Sequence, residues 1–174
     1  MAYLWWVAAA LWVAYPTQAV LSSLLVRKFS RVLRRPGREK FDHYRPPTAL
    51  VVPFKGVDPG LERNLASLFR QHYDEYRLVL VVESESDPAF PLIREAITAH
   101  PARRAEAIVA GLAPPGTGQK VHNLLAAARR LRERQASDPV EVWAFADSDA
   151  APDPAWLGPL VGPLCKAGNA VTTG

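Results

Sequence analysis

Cysteine is nearly missing from this sequence: Cys165 stands alone among 174 residues. An intrachain disulfide is therefore excluded, and no cysteine-based zinc site is indicated. No segment repeats another, which excludes a solenoid or propeller. The Gly-x4-Gly-Lys-[Ser/Thr] spacing of a Walker A loop is also absent, although a Gly/Pro loop at Gly111–Gly118 does lead to a lysine, Lys120. Charge of either sign is missing from Tyr3–Val26. Net positive charge is missing elsewhere, because the net charge of +4 is local: Arg27, Lys28, Arg31, Arg34, Arg35, Arg38 and Lys40 face a single Glu39 within that stretch. The remainder is near neutral, so general nucleic-acid binding is not expected.

What is present begins with that uncharged stretch. About 20 apolar residues suffice to cross a bilayer as a helix. Tyr3, Trp5 and Trp6 suit an interfacial aromatic belt, and the basic cluster follows the far end of the run. A cleaved signal peptide would carry its positive charge before the apolar run, not after it. Residues 1–26 are therefore expected to form one transmembrane anchor with its N-terminus outside. Residues 27–47 form a basic juxtamembrane linker that can hold an anionic lipid surface. Residues 48–174 would be cytoplasmic.

From Thr48 the pattern alternates between strand and helix. Apolar runs at Thr48–Pro53, Leu78–Val82 and Ala105–Val109, and the strand opening Val140–Ala150, read as buried strands. Helical periodicity marks Leu61–Gln71, Pro88–His100, Lys120–Gln135 (Val121, Leu124, Leu125, Ala128 and Leu131 on one face) and Pro154–Cys165; a last strand is expected at Ala170–Thr173. Asp58-Pro59 and Asp87-Pro88 each read as a helix N-cap followed by a first-turn proline. Continuous apolar strands separated by helices predict an α/β fold with a mostly parallel, doubly covered sheet.

In such a sheet ligands gather at the carboxyl ends of the strands. Four loops lead there. The first carries Lys55, the second Glu83, Glu85 and Asp87, and the third ends at Lys120, placed at a helix N-terminus where an anion is favoured. The fourth carries Asp147 and Asp149, which flank Ser148 and can turn two carboxylates toward one hard cation, Mg²⁺ or Mn²⁺. His122 reads as a surface or packing residue.

With these loops in order, the chain resembles family-2 glycosyltransferases of the GT-A fold, and more narrowly their ceramide glucosyltransferase branch. The segments that carry the resemblance are Pro53-Phe54-Lys55-Gly56-Val57-Asp58-Pro59, Ser86-Asp87-Pro88-Ala89, Gln119-Lys120-Val121-His122-Asn123-Leu124 and Ala146-Asp147-Ser148-Asp149. The resemblance implies a GT-A-type, Rossmann-like sheet that binds a nucleotide-sugar, usually UDP-linked, through Mg²⁺ or Mn²⁺. Asp147 and Asp149 would hold the metal, with Asp147 also at the donor. Glu83, Glu85 and Asp87 would meet the nucleoside, and Lys55 and Lys120 the diphosphate or sugar. The implied reaction is inverting transfer of a sugar to a membrane lipid hydroxyl such as that of ceramide.

Two departures accompany it. The family's nucleoside-binding Asp aligns at Ser84, so either Glu83, Glu85 or Asp87 substitutes or the site is altered. The catalytic-base Asp and the Gln-x-x-Arg-Trp-type motif have no counterpart, and both are expected beyond Gly174, with this polypeptide an N-terminal fragment that lacks its base. Two other readings compete. One is a membrane-tethered nucleotide-binding module without catalysis; the other is a haloacid-dehalogenase-type phosphohydrolase with Asp147 as nucleophile.

Overall fold

The computed structural model of the chain describes residues 12, 14–27, 41 and 43–173. Two compact units divide at Gly37 and Arg38. In the first, residues 14–27 are helical (α1). Among the described residues no helix is long and apolar enough to cross a membrane. The first eleven residues of the expected anchor, and most of the basic linker, lie outside the described residues.

The second unit holds β1 (Thr48–Pro53), α2 (Leu61–Phe69), β2 (Tyr76–Val82), α3 (Ala89–Ala99), β3 (Ala105–Val109), α4 (Gln119–Arg134), β4 (Val142–Phe145) and α5 (Leu157–Val161). A short 3-10 turn, Gly162–Cys165, follows. The four strands form one sheet in the order β3-β2-β1-β4, and every pairing is parallel. The predicted α/β class with a parallel sheet is thus observed.

Strand residues alternate between two faces, and each face has its own core. Leu50, Val52, Leu78, Leu80 and Val82 pack with Leu61, Leu65, Leu68, Ile93 and Leu157 beneath α2, α3 and α5. Ala49, Val51, Val79 and Val81 pack with Ala127 and Leu131 of α4. Both faces being covered explains why β1 and β2 read as unbroken apolar runs. The chain steps outward from β1 to β3 with its helices on one side. It then crosses back through α4 on the other side to place β4 beside β1. That reversal makes the β1–β4 boundary a switch point, where an open α/β sheet forms its ligand crevice.

Several sequence expectations need correction. Ala170–Thr173 is not a strand; the Thr172 hydroxyl donates to the Leu160 carbonyl at 2.6 Å, which ties the segment to α5. The Pro154–Cys165 helix starts only at Leu157 and tightens into the 3-10 turn. Asp58 does not cap α2: Gly60 does, with a left-handed φ of 87°, and the Leu61 amide donates to the Asp58 backbone carbonyl. Left-handed φ suits glycine, so Gly60 rather than Pro59 ends the loop. The inner face of α4 is Asn123, Ala127 and Leu131, whereas Val121 and Leu125 are exposed. The predicted stripe was rotated because a polar residue, Asn123, occupies its centre.

Burial raises the pKa of both Tyr73 and Tyr76 above the ordinary 10.0. The folded state therefore keeps these phenols protonated where the unfolded chain ionises them. Their contribution is complete below pH 10 and is lost as pH rises through the folded values. Tyr76 also donates to the Leu68 carbonyl at 2.7 Å. Tyr76→Phe is expected to cost about 1 kcal/mol at neutral pH, and denaturant titrations should show that gap narrowing above pH 10.

Candidate functional site

The switch point sets the loop after β1 beside the loop after β4. α4 begins at Gln119, after Gly118 in extended conformation, so its first turn faces the same crevice. A cleft of about 160 Å³ results, lined by Pro53, Phe54, Lys55, Gln119, Lys120, Asn123, Asp147 and Ser148. Three of the residues expected from sequence, Lys55, Lys120 and Asp147, thus meet in one place. Lys120 Nζ donates to Asp147 Oδ1 at 2.5 Å, and both side chains are largely exposed. An exposed pair of this kind contributes only about 0–1 kcal/mol, so a stronger cation or an anionic ligand can exchange with either partner.

Asp149 is exposed and does not line this cleft, and neither do Glu83, Glu85 and Asp87. Asp87 has another engagement. Both of its oxygens accept the Gly56 amide at 3.1 Å, and Oδ1 accepts the Ala89 amide at 2.8 Å. Gly56 holds φ 69° at that contact, a conformation that β-branched and bulky residues avoid. α3 starts one residue later than Asp87-Pro88 suggested, at Ala89, yet Asp87 still takes its first amide. The same carboxylate fastens the Lys55 loop to the β2 loop. Asp87→Ala is expected to destabilise the fold by about 2 kcal/mol, read by chemical denaturation. Ser84 and Ser86 hydroxyls lie 2.8 Å apart, while the carboxylates of Glu83 and Glu85 pair with no described residue.

Sequence reasoning missed the residues that brace the cleft. Asn123, buried, donates to the Phe54 carbonyl at 3.4 Å and accepts from Gln119 Nε2 at 2.8 Å. Gln119 also accepts the Ala113 amide and donates to the Gly111 carbonyl, which closes the glycine-rich loop onto α4. Their i, i+4 spacing was the available signal. His122 does pack: its Nε2 lies 3.0 Å from the Ala110 carbonyl.

A hard divalent cation takes six or more oxygen ligands, yet Mg²⁺-type sites often use one or two carboxylates with waters and substrate phosphates. Among the described residues no cluster of three or more His, Cys, Asp or Glu side chains stands ready. The exposed carboxylates of Asp147 and Asp149 supply the oxygen donors that such a cation prefers.

The profile of Glycosyl transferase family 21 matches residues 7–163. The chain belongs to that family. The family number differs from the one its motifs resembled, and the ceramide glucosyltransferase branch is the same. Ceramide glucosyltransferase 1 of Caenorhabditis elegans is 30% identical over 108 residues, covering 62% of this chain and 23% of that protein. The ceramide glucosyltransferase of Komagataella phaffii is 33% identical over 78 residues, covering 43% of this chain and 15% of the relative. The family 21 chain thus spans less than a quarter of either relative. In fold it is similar to a mannosyltransferase from Pyrobaculum calidifontis solved with GDP-Man and Mn²⁺, with a TM-score of 0.57 at 22% identity, covering 87% of this chain and 42% of that one. Family membership leaves the phosphohydrolase reading without support.

Proposed function

We propose that this family 21 chain holds a nucleotide-sugar donor, UDP-glucose or a close analogue, for metal-dependent, inverting transfer of the sugar to a lipid hydroxyl such as that of ceramide. The observation that carries the reading is the meeting of Lys55, Lys120 and Asp147 in one cleft at the switch point of the sheet. Two cations and a carboxylate on one rim suit a diphosphate bridged to a metal. The names of the curated relatives support a ceramide acceptor, and the Mn²⁺ in the mannosyltransferase complex supports the metal.

On this reading Asp147 and Asp149 hold Mg²⁺ or Mn²⁺, which neutralises charge on the departing diphosphate. Lys120 exchanges Asp147 for a phosphate oxygen, and Lys55 faces the same anion from the β1 loop. Glu83 and Glu85, whose carboxylates have no described partner past the end of β2, accept from ribose hydroxyls or a base N–H. Asp87 shapes the loop that the donor meets. Residues 1–26 anchor the chain, residues 27–47 lie against anionic lipid, and residues 48–174 work at the cytoplasmic face of the bilayer, beside a lipid acceptor.

Thermal melting tests this. A ligand that binds only the folded state raises the midpoint by mass action. UDP-glucose with MnCl₂ should raise the midpoint of the chain by several degrees, and EDTA should cancel the rise. No rise with any nucleotide-sugar and metal would overturn the donor reading, and would count equally against a non-catalytic nucleotide-binding module.

A further inference from the structure

We infer that Asn64, on α2, is the positioning residue for the aspartate pair, and that it fixes the turn which presents Asp147 and Asp149 to a cation-bridged diphosphate. This rests on the donor role proposed above.

Asp147–Ala150 is a tight turn, closed by the Ala150 amide donating to the Asp147 carbonyl at 3.1 Å. Both aspartates are exposed, so packing does not set their separation. The turn is held by its middle residue instead. Asn64 Nδ2 donates to the Ser148 carbonyl at 3.2 Å, across 84 residues of sequence. The Ser148 hydroxyl donates to Asp58 Oδ2 at 3.3 Å, which ties the same residue to the Lys55 loop.

Asn64 is only 1% exposed. Its Oδ1 is closed to solvent and has no hydrogen-bond partner among the described residues. A buried acceptor left without a donor is destabilising. The reverse orientation of the amide would set two oxygens against each other at Ser148, so this orientation is the favourable one. Alanine at position 64 would remove the unpartnered oxygen together with the Ser148 contact.

Gln71, seven residues further along, shows the contrast. Its Nε2 donates to the Ser67 and Asp153 carbonyls, at 3.1 and 3.0 Å, and its Oε1 accepts the Leu157 amide at 3.1 Å. No polar atom of Gln71 is left over, as expected of a group that only holds the fold. The Asn64 oxygen has no protein partner among the described residues, while its amide nitrogen holds the Ser148 carbonyl. A polar group retained at a local cost beside a ligand site is the pattern of a positioning residue.

The test compares Asn64→Ala, Ser148→Ala, Gln71→Ala and Asp149→Ala in the 174-residue chain. Each is melted, and each is titrated with UDP in MnCl₂ by calorimetry. Asn64→Ala should melt within about 2 °C of wild type and bind Mn²⁺–UDP about 10-fold more weakly, as for a group that orients a metal ligand. Gln71→Ala should melt several degrees lower. Ser148→Ala, which removes only the hydroxyl link to Asp58, should weaken binding in the same direction by less; if Asn64→Ala does not fold, Asn64→Leu, of similar size but without the amide that donates to the Ser148 carbonyl, decides the matter. Unchanged Mn²⁺–UDP affinity in a folded Asn64→Ala, or in Asn64→Leu when Asn64→Ala is unfolded, overturns the positioning role. Asp149→Ala separates the two proposals. If it loses binding while Asn64→Ala keeps it, only the role of Asn64 falls; if wild type itself does not bind, both fall.

Discussion

Asp149→Ala is expected to weaken UDP-glucose binding in MnCl₂ by about 100-fold or more while leaving the melting temperature close to that of wild type. The two halves of this expectation have separate physical causes. Asp149 is exposed and forms no described ion pair or hydrogen bond through its carboxylate, so its removal takes little from the fold. Surface changes away from caps and networks usually lie within about 0.5 kcal/mol. On the proposed function, however, the two carboxylates share one cation, and losing one of them leaves a single contact to a strongly hydrated ion. Loss even of an outer group that orients a metal ligand typically costs about 10–100-fold, and loss of the ligand itself should exceed that. Calorimetric titration and a parallel melt supply both numbers. A fall in melting temperature equal to the loss of binding would mean that Asp149 supports the turn and not the metal.

Lys120→Ala should split two affinities that would otherwise move together. Without the lysine, Asp147 loses its present partner at 2.5 Å, so Mn²⁺ alone should bind as well as before or slightly better. The gain is bounded by the small worth of an exposed pair, at most about 1 kcal/mol. UDP-glucose should bind more weakly by about 2 kcal/mol, roughly 30-fold, because a charge-assisted hydrogen bond to phosphate is lost. The first turn of α4, with its free amides, remains and limits the damage. Mn²⁺ and UDP-glucose titrations on the same preparation check the split. Parallel loss of both would place Lys120 in support of the loop, not at the diphosphate.

Much of this was legible in the sequence because strand burial is so complete. Thr48–Pro53 is buried at all six positions, and Tyr76–Val82 at all seven, so composition alone marked Thr48–Pro53 and the Leu78–Val82 part of the second as buried strands. Lys55, Lys120 and Asp147 could be placed on one rim because parallel strands deliver their following loops to the same edge. Topology supplied what composition could not. Only the return of the chain to set β4 beside β1 brings the Lys55 and Asp147 loops together, leaving the Glu83–Asp87 loop outside the cleft lining. The α4 stripe was misjudged because Asn123 faces inward to reach the Phe54 carbonyl, and periodicity counts only apolar residues. Asn64 was invisible for a similar reason: its partner lies 84 residues away, and nothing local requires an amide at that position.

The most direct test of the central claim, that the cleft holds a sugar nucleotide through a metal at the aspartate pair, is equilibrium dialysis of labelled UDP-glucose against the chain in MnCl₂ and in EDTA. One equivalent bound with Mn²⁺, and none with EDTA or with Asp147 and Asp149 both replaced by Ala, is the predicted result. Equal binding of UDP-glucose with and without metal would contradict it.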